Sequence, residues 1–241
     1  KLLIGGMFTL LGGSGGPSYF ARLLSDGSLD ASFNPVVNYF VHSSAVQTDG
    51  KIVVGGRFNA MCGVTRNHLG RLNADGTIDA DFNPNPNGIV FSLAVQADQQ
   101  ILAGGTFTTL GGQSRTGFGR LTPTGSLDTN FTAQVDVATI DGLALQQDGR
   151  LVVCGGFNTL AGVSRMNIGR LTSFGVVTNA LSFENSTLTW HRSGPIPDVW
   201  RTTFEVTTNG VDWSVLGVGT RITNGWQLSS LSAPQGLVRV R

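Results

Sequence analysis

The sequence predicts an all-β protein, a β-propeller of four-stranded blades, and three observations carry the prediction. A period near fifty residues runs through the first three quarters of the chain, each period holds four short strand-like segments divided by turn signals, and no segment sustains a helical period. Composition agrees: 34 glycines among 241 residues, with only 13% charged, suit many short strands and tight turns rather than solvated helices.

The period is read in order. IGGMF (4–8) returns as VGGRF (54–58), AGGTF (103–107) and CGGF (154–157), the last read as one residue shorter. ARL (21–23) returns as GRL, which spaces Arg22, Arg71, Arg120 and Arg170 by 49, 49 and 50 residues, and the first three, with Asp30, Asp79 and Asp128 eight residues on, read as inter-strand or inter-blade ion pairs. SDGSLDASFNP (25–35) is echoed by ADGTIDADFNP (74–84) and TGSLDTNF (124–131), and SFGVVTNAL (173–181) is a worn copy. Before the later glycine pairs come SSAVQTDGK (43–51), SLAVQADQQ (92–100) and GLALQQDGR (142–150).

One period thus supplies strands a (41–47), b (51–56), c (68–72) and d (77–82), with DG or a close variant marking the turns. Strand b is apolar on both faces, as a strand between packed layers requires. Residues 1–180 are four tandem repeats of about fifty residues, the first incomplete because the chain opens directly on strand b. Residues 181–241 lose the repeat but keep the strand habit, as a divergent β module. That module is either a closing blade or a separate sandwich, and the blade is preferred because so short a segment makes a thin independent sandwich. GLVRVR at the C-terminus then pairs with KLLIGG as the missing strand a, which makes five blades.

The combination of QxDGK, an apolar triplet, GGxF, RL and DGxxDxxF resembles the delta-60 repeat of large bacterial proteins. The tail from LTWHR to LSAP resembles a segment that follows such repeats. The resemblance implies a propeller-like fold and an extracellular, cell-surface or periplasmic bacterial setting, often beside other modules, and it implies no reaction.

Bulk properties narrow the function. Sixteen Lys and Arg against fifteen Asp and Glu give a net charge of +1, so no global field draws nucleic acid or an anionic membrane. No apolar run is long enough to span a bilayer. Cys62 and Cys154 read as small residues in structural slots, Cys62 where other repeats have Gly12, Gly111 and Ala161, and Cys154 where others have Ile4, Val54 and Ala103.

Catalytic motifs fail on register. Gly12-Gly13-Ser14-Gly15-Gly16 matches a nucleophile elbow, yet the same slot elsewhere reads CGVTR, GGQSR and AGVSR, a b–c loop with no helix to follow. His42, His68 and His191 fall at unrelated repeat positions. TTNGVDW (207–213) resembles the turn-stabilising hairpin of sialidase propellers. The DGxxD segments lack the ligand pattern of an EF-hand calcium loop, so their aspartates read as turn caps, with weak calcium binding as the alternative. No cofactor and no metal are expected. Asp141, Glu184, Asp198 and Glu205 are the scattered carboxylates that a carbohydrate-active enzyme would have to bring together. The sequons at Asn130 and Asn185 matter only in a secretory pathway.

Two sets remain as candidate binding residues. Arg66, Arg115 and Arg165 each follow the repeat phenylalanine by eight residues in b–c loops, on the ring face opposite Asp26, Asp49, Asp75, Asp98 and Asp148. An anionic partner is the ligand they suggest. His42, Phe91 and Asp141 occupy a variable position in strand a, where a channel ligand would be read. The expected function is a non-catalytic interaction or scaffold module that meets a protein partner or a surface glycan, or a subunit of a larger assembly. The alternative is a carbohydrate-active propeller enzyme or a glycan-binding module.

Overall fold

The computed structural model describes residues 1–11, 17–137, 139–172, 175–199 and 201–241, all strand, turn or loop. The GGSGG segment therefore lies outside the described residues. Blade one holds β1 (Leu2–Gly5) and β2 (Phe20–Leu23). Blade two holds β3 (Val41–Val46), β4 (Ile52–Gly56), a small hairpin of β5 (Ala60–Met61) and β6 (Val64–Thr65), and β7 (Leu69–Leu72). Blade three repeats this as β8 (Val90–Val95), β9 (Ile101–Gly105), β10 (Thr109–Leu110), β11 (Gln113–Ser114) and β12 (Phe118–Leu121). Blade four follows with β13 (Ile140–Leu145), β14 (Leu151–Gly155), β15 (Thr159–Leu160), β16 (Val163–Ser164) and β17 (Ile168–Leu171).

Strands a, b and c pair antiparallel in that order within blades two to four. The fourth strand is reduced to a single bridge, Leu72↔Ile78 or Leu121↔Leu127. One residue later Asp79 turns its carboxylate back onto the Asp81 N–H at 3.2 Å and onto Arg71, which curls the chain off the ladder. The aspartates of the a–b and c–d turns cap their own backbone as expected: Asp26, Asp49, Asp75, Asp98 and Asp148 each accept the N–H two residues on. That bond, with a second from the hydroxyl of Ser28 or Thr77, holds Asp26 and Asp75 below the usual carboxylate range.

Successive blades are joined by recurring devices. At Gly5, Gly55 and Gly104 an added Cβ would come within 2.6, 2.7 and 2.6 Å of Val41, Val90 and Ile140 in the following blade, so the first glycine of each pair is the hole for the next blade's side chain. The second glycine of blades two and three, Gly56 or Gly105, faces its own strand a, whose carbonyl at Phe40 or Ile89 leaves no room for a Cβ. Ser43 and Ser92 hydroxyls accept the N–H groups of Leu93 and Leu143 one blade on, at 3.1 and 3.0 Å. Phe20, Leu69 and Phe118 are fully buried between blades.

The expected arginine–aspartate pairs form: Arg22–Asp30, Arg71–Asp79 and Arg120–Asp128, each with Nε 2.8 Å from the carboxylate. Each arginine also lies over the ring of Phe33, Phe82 or Phe131. Arg22 reaches on to the Ala74 carbonyl at 2.6 Å and Arg71 to Pro123 at 2.5 Å, in the next blade's turn.

Blade four departs in the devices that reach the following blade, though its second glycine, Gly155, still faces the Thr139 carbonyl. Strand pairing aligns Cys154 with Ile168 as it aligns Gly55 with Leu69 and Gly104 with Phe118. Strand b is therefore full length there. CGG replaces GGR, and Cys154 fills the first glycine's slot, not the slot of Val54 and Ala103. Gly142 replaces the bonding serine, Ile168 is 61% exposed where its counterparts are buried, and Arg170 is exposed on the same outer sheet face. Cys62 does sit in its expected slot: its φ of 51° matches 60° at Gly111 and 51° at Ala161.

Residues beyond the repeats make two sheets. β18 (Thr178–Glu184), β19 (Thr187–Ser193), β22 (Thr220–Ile222) and β23 (Gly225–Leu228) form one in the order β18-β19-β23-β22. β20 (Thr203–Thr207), β21 (Ser214–Val218) and β24 (Leu237–Val240) form the other, with β20 central. Leu188, Phe204 and Trp226 are buried as their shared core. The expected pairing of the two termini does not form. β24 pairs with β20, because Val238 and Val240 pack into the tail's own core. In the TTNGVDW turn, Asn209 accepts the Val211 and Asp212 N–H groups at 2.9 Å, a turn-stabilising role.

Candidate functional site

Inner strands β3, β8 and β13 lie side by side, so the repeat array has an inner side with two ends. At the end reached by the β3, β8 and β13 C-termini lies a cavity of about 870 Å³. Leu3, Ala45, Val95 and Leu145 line it, with Pro197 and Asp198 of the tail across it. The tail segment is fastened there by the Ala97 N–H donating to the Ile196 carbonyl at 2.8 Å and by the Gln96↔Pro197 bridge, and Ile196 is buried.

The opposite end is where the sequence placed its candidate residues. Each inner strand carries a β-bulge, between Val41 and Ser43, Val90 and Ser92, and Ile140 and Gly142. The extra residues are His42, Phe91 and Asp141. A bulge inserts an unpaired residue and re-aims its side chain, so this variable position is also freed from the ladder. His42 and Phe91 meet edge to face with ring centroids 5.1 Å apart. Partial burial, and then the charge of Arg57, holds the His42 imidazole below its usual pKa.

Arg66 departs from its expected exposed position. Arg66 is only 5% exposed, and its guanidinium donates to the carbonyls of Thr65 (2.9 Å) and Ala80 (2.8 Å). It is not a surface cation, because the glycine of GRL, Gly70, lets the Arg66 stem pack under the hairpin. Arg115 and Arg165 donate likewise to Ser114 and Ser164. The three brace separate hairpins; Arg115 is half-buried and Arg165 is exposed. The connection before strand a and the b–c hairpin do share one face, tied by Asn38, Asn87 and Asp136, each accepting two hairpin N–H groups.

Sequence reading missed an aromatic cluster on this same face. Tyr39 stacks on Phe40 with centroids 4.1 Å apart, Tyr19 of blade one packs on both at 6.0 and 5.7 Å, and Arg57 lies 5.5 Å over Tyr39. Tyr19 holds a φ of 65°, in a slot filled by His68, Gly117 and Asn167 in the later blades. The signal was present as YF before strand a, but it lies across two blades and outside the aligned motif.

The four scattered carboxylates stand on different elements. Glu205 is bound by Arg239 at 2.6 Å and Asp198 by Arg221 at 2.5 Å, while Glu184 ends β18 and Asp141 sits in β13. Among the described residues no group of three or more His, Cys, Asp or Glu is placed to hold a metal.

Comparison with known proteins follows the same lines. The sequence matches the family model described as "Domain of unknown function (DUF5122) beta-propeller" over residues 1–33, 47–82, 96–131 and 146–177. A search of curated proteins returns no match. Among solved structures, the WD40 beta propeller domain of Doa1 aligns at 13% identity and a TM-score of 0.33, over 60% of this chain and 55% of that chain.

Proposed function

We propose, given that the chain belongs to the DUF5122 beta-propeller family, that it is a non-catalytic interaction module. Its binding surface is the end of the inner strands where His42, Phe91 and Asp141 are gathered. The observation that carries this reading is a division of labour between repeated and variable residues. The recurring arginines, aspartates, serines and glycines are consumed in joining one blade to the next, whereas the variable strand-a residues are bulged out of the ladder. A position released from pairing in each of three strands is available to a partner.

We place the module outside the cytoplasm of a bacterium, at the surface or in the periplasm, as a scaffold for a protein partner or a glycan. The resemblance of its repeats to those of large bacterial proteins supports that placement.

Photo-cross-linking tests the reading. A photoreactive residue at position 91 of the full chain is expected to give a discrete cross-linked product with native extract, competed by unlabelled chain. The same residue at Val176, 85% exposed and remote from the mouth, is expected to give none. Equal products from both positions overturn the reading. So does turnover of chromogenic glycosides that Glu205→Gln abolishes.

A further inference from the structure

We infer that the aromatic cluster of blade two is a binding site for an acidic, uronate-bearing glycan; this inference deepens the module reading above and rests on it. The cluster runs from Tyr39 and Phe40 at the edge of the face, through Arg57, to His42 and Phe91 at the mouth of the inner strands.

Three features argue for a ligand rather than a core. First, the rings are incompletely covered: Tyr39 is 38% exposed, His42 is exposed, and Tyr19, Phe40 and Phe91 are half-buried, whereas the repeat phenylalanines of blades two to four, Phe58, Phe107 and Phe157, are buried. Second, the cluster occurs once. The backbone bond from Arg57 N–H to the Phe40 carbonyl recurs as Thr106 to Ile89 and Gly156 to Thr139, so the same frame carries no ring and no cation in blades three and four. Third, Tyr19 puts a bulky side chain at positive φ in a slot that the later blades fill with His68, Gly117 and Asn167. Such strain costs on the order of 1 kcal/mol and concentrates at functional positions.

Charge selects the ligand. Arg57 is exposed and, among the described residues, makes no ion pair with a carboxylate, in contrast to Arg22, Arg71 and Arg120. An exposed guanidinium is a bidentate donor for a carboxylate. The ring surface that the stacked Tyr39–Phe40 pair leaves uncovered is electron-rich and suits the positive C–H edges of a pyranose ring. A nucleic acid strand would also stack, but it needs a run of cations along its backbone. Here Arg57 stands without one, since Arg66 is buried beneath the neighbouring hairpin. One cation beside stacking faces fits a chain that carries one carboxylate per sugar.

The test is calorimetric titration of the full chain with an oligogalacturonate, the matching neutral galactose oligomer, and a short oligothymidylate. The uronate oligomer is expected to bind at least tenfold more tightly than the neutral one, and more weakly at high salt. Arg57→Met is expected to remove that preference, and Tyr39→Leu to lower affinity for both sugars. Both side chains are exposed, so a melting curve close to wild type checks that each variant folds. Binding unchanged in Arg57→Met, equal binding of the neutral oligomer, tighter binding of oligothymidylate, or no binding of any oligomer each overturns the assignment. A chain that binds no oligomer and still cross-links specifically through position 91 loses this site and keeps the module reading.

Discussion

Arg71 Nε lies 2.8 Å from Asp79 Oδ2 within one blade, while a terminal nitrogen of the same guanidinium donates to the Pro123 carbonyl of the next blade, 52 residues further along. A third bond, to the Gln47 side chain at 2.8 Å, fixes the end of the inner strand. One side chain thus ties strand a, the outer turn and the following blade, which explains why the sequence keeps glutamine, arginine and aspartate in register.

Asp79→Ala removes the anion from a buried pair and leaves Arg71 unpaired. A loss on the order of 3 kcal/mol is expected, read by denaturant or thermal melting. Asp148→Asn, which disrupts only the half-exposed pair with Arg150, is expected to change stability by less than about 1 kcal/mol.

Acid should erase the first of these differences. Burial alone would raise the Asp79 pKa, but the Lys51 ammonium and the Arg71 guanidinium outweigh it and hold the carboxyl below its ordinary 3.8. A folded pKa below the unfolded one stabilises the fold fully above the unfolded value and loses that contribution as pH falls through the folded value. The melting gap between wild type and Asp79→Asn is therefore expected to hold at pH 6 and to narrow below about pH 4.

The glycine holes are testable by exchange. Gly55→Cys places a Cβ 2.7 Å from Val90 Cγ1 and is expected to cost about 1–3 kcal/mol by overpacking. Cys154→Gly, at the same slot in blade four, is expected to cost no more than about 1 kcal/mol, the conformational cost of glycine in a strand.

Ser43→Ala leaves the Leu93 N–H without its acceptor across the blade boundary. A destabilisation of about 1 kcal/mol is expected, with faster hydrogen exchange at the Leu93 amide as its local signature.

Repetition made the frame legible. Period, strand order, turn aspartates and the Arg–Asp pairs could all be read because each copy checks the others. What failed did so where that check lapses. CGGF looked like a deletion because two glycines in a row invite alignment by letter, whereas strand pairing aligns by neighbour. Arg66 looked exposed because loops usually are, but Gly70 lets its stem lie inside. Tyr19, Tyr39 and Phe40 come from two blades and recur in neither, so no periodicity could assemble them. The bulged positions were found as variable, though the bulge that frees them is a backbone property with no letter of its own.

Blade four carries a consequence for how such a chain can grow. A duplicated copy of the second repeat, inserted before the third, would find a glycine hole, a serine acceptor and a turn carbonyl waiting on either side. The same copy placed against blade four would meet the Cys154 thiol where it needs a hole and Gly142 where it needs a hydroxyl. Lengthening of this array by gene duplication is therefore tolerated in its interior and resisted at that face.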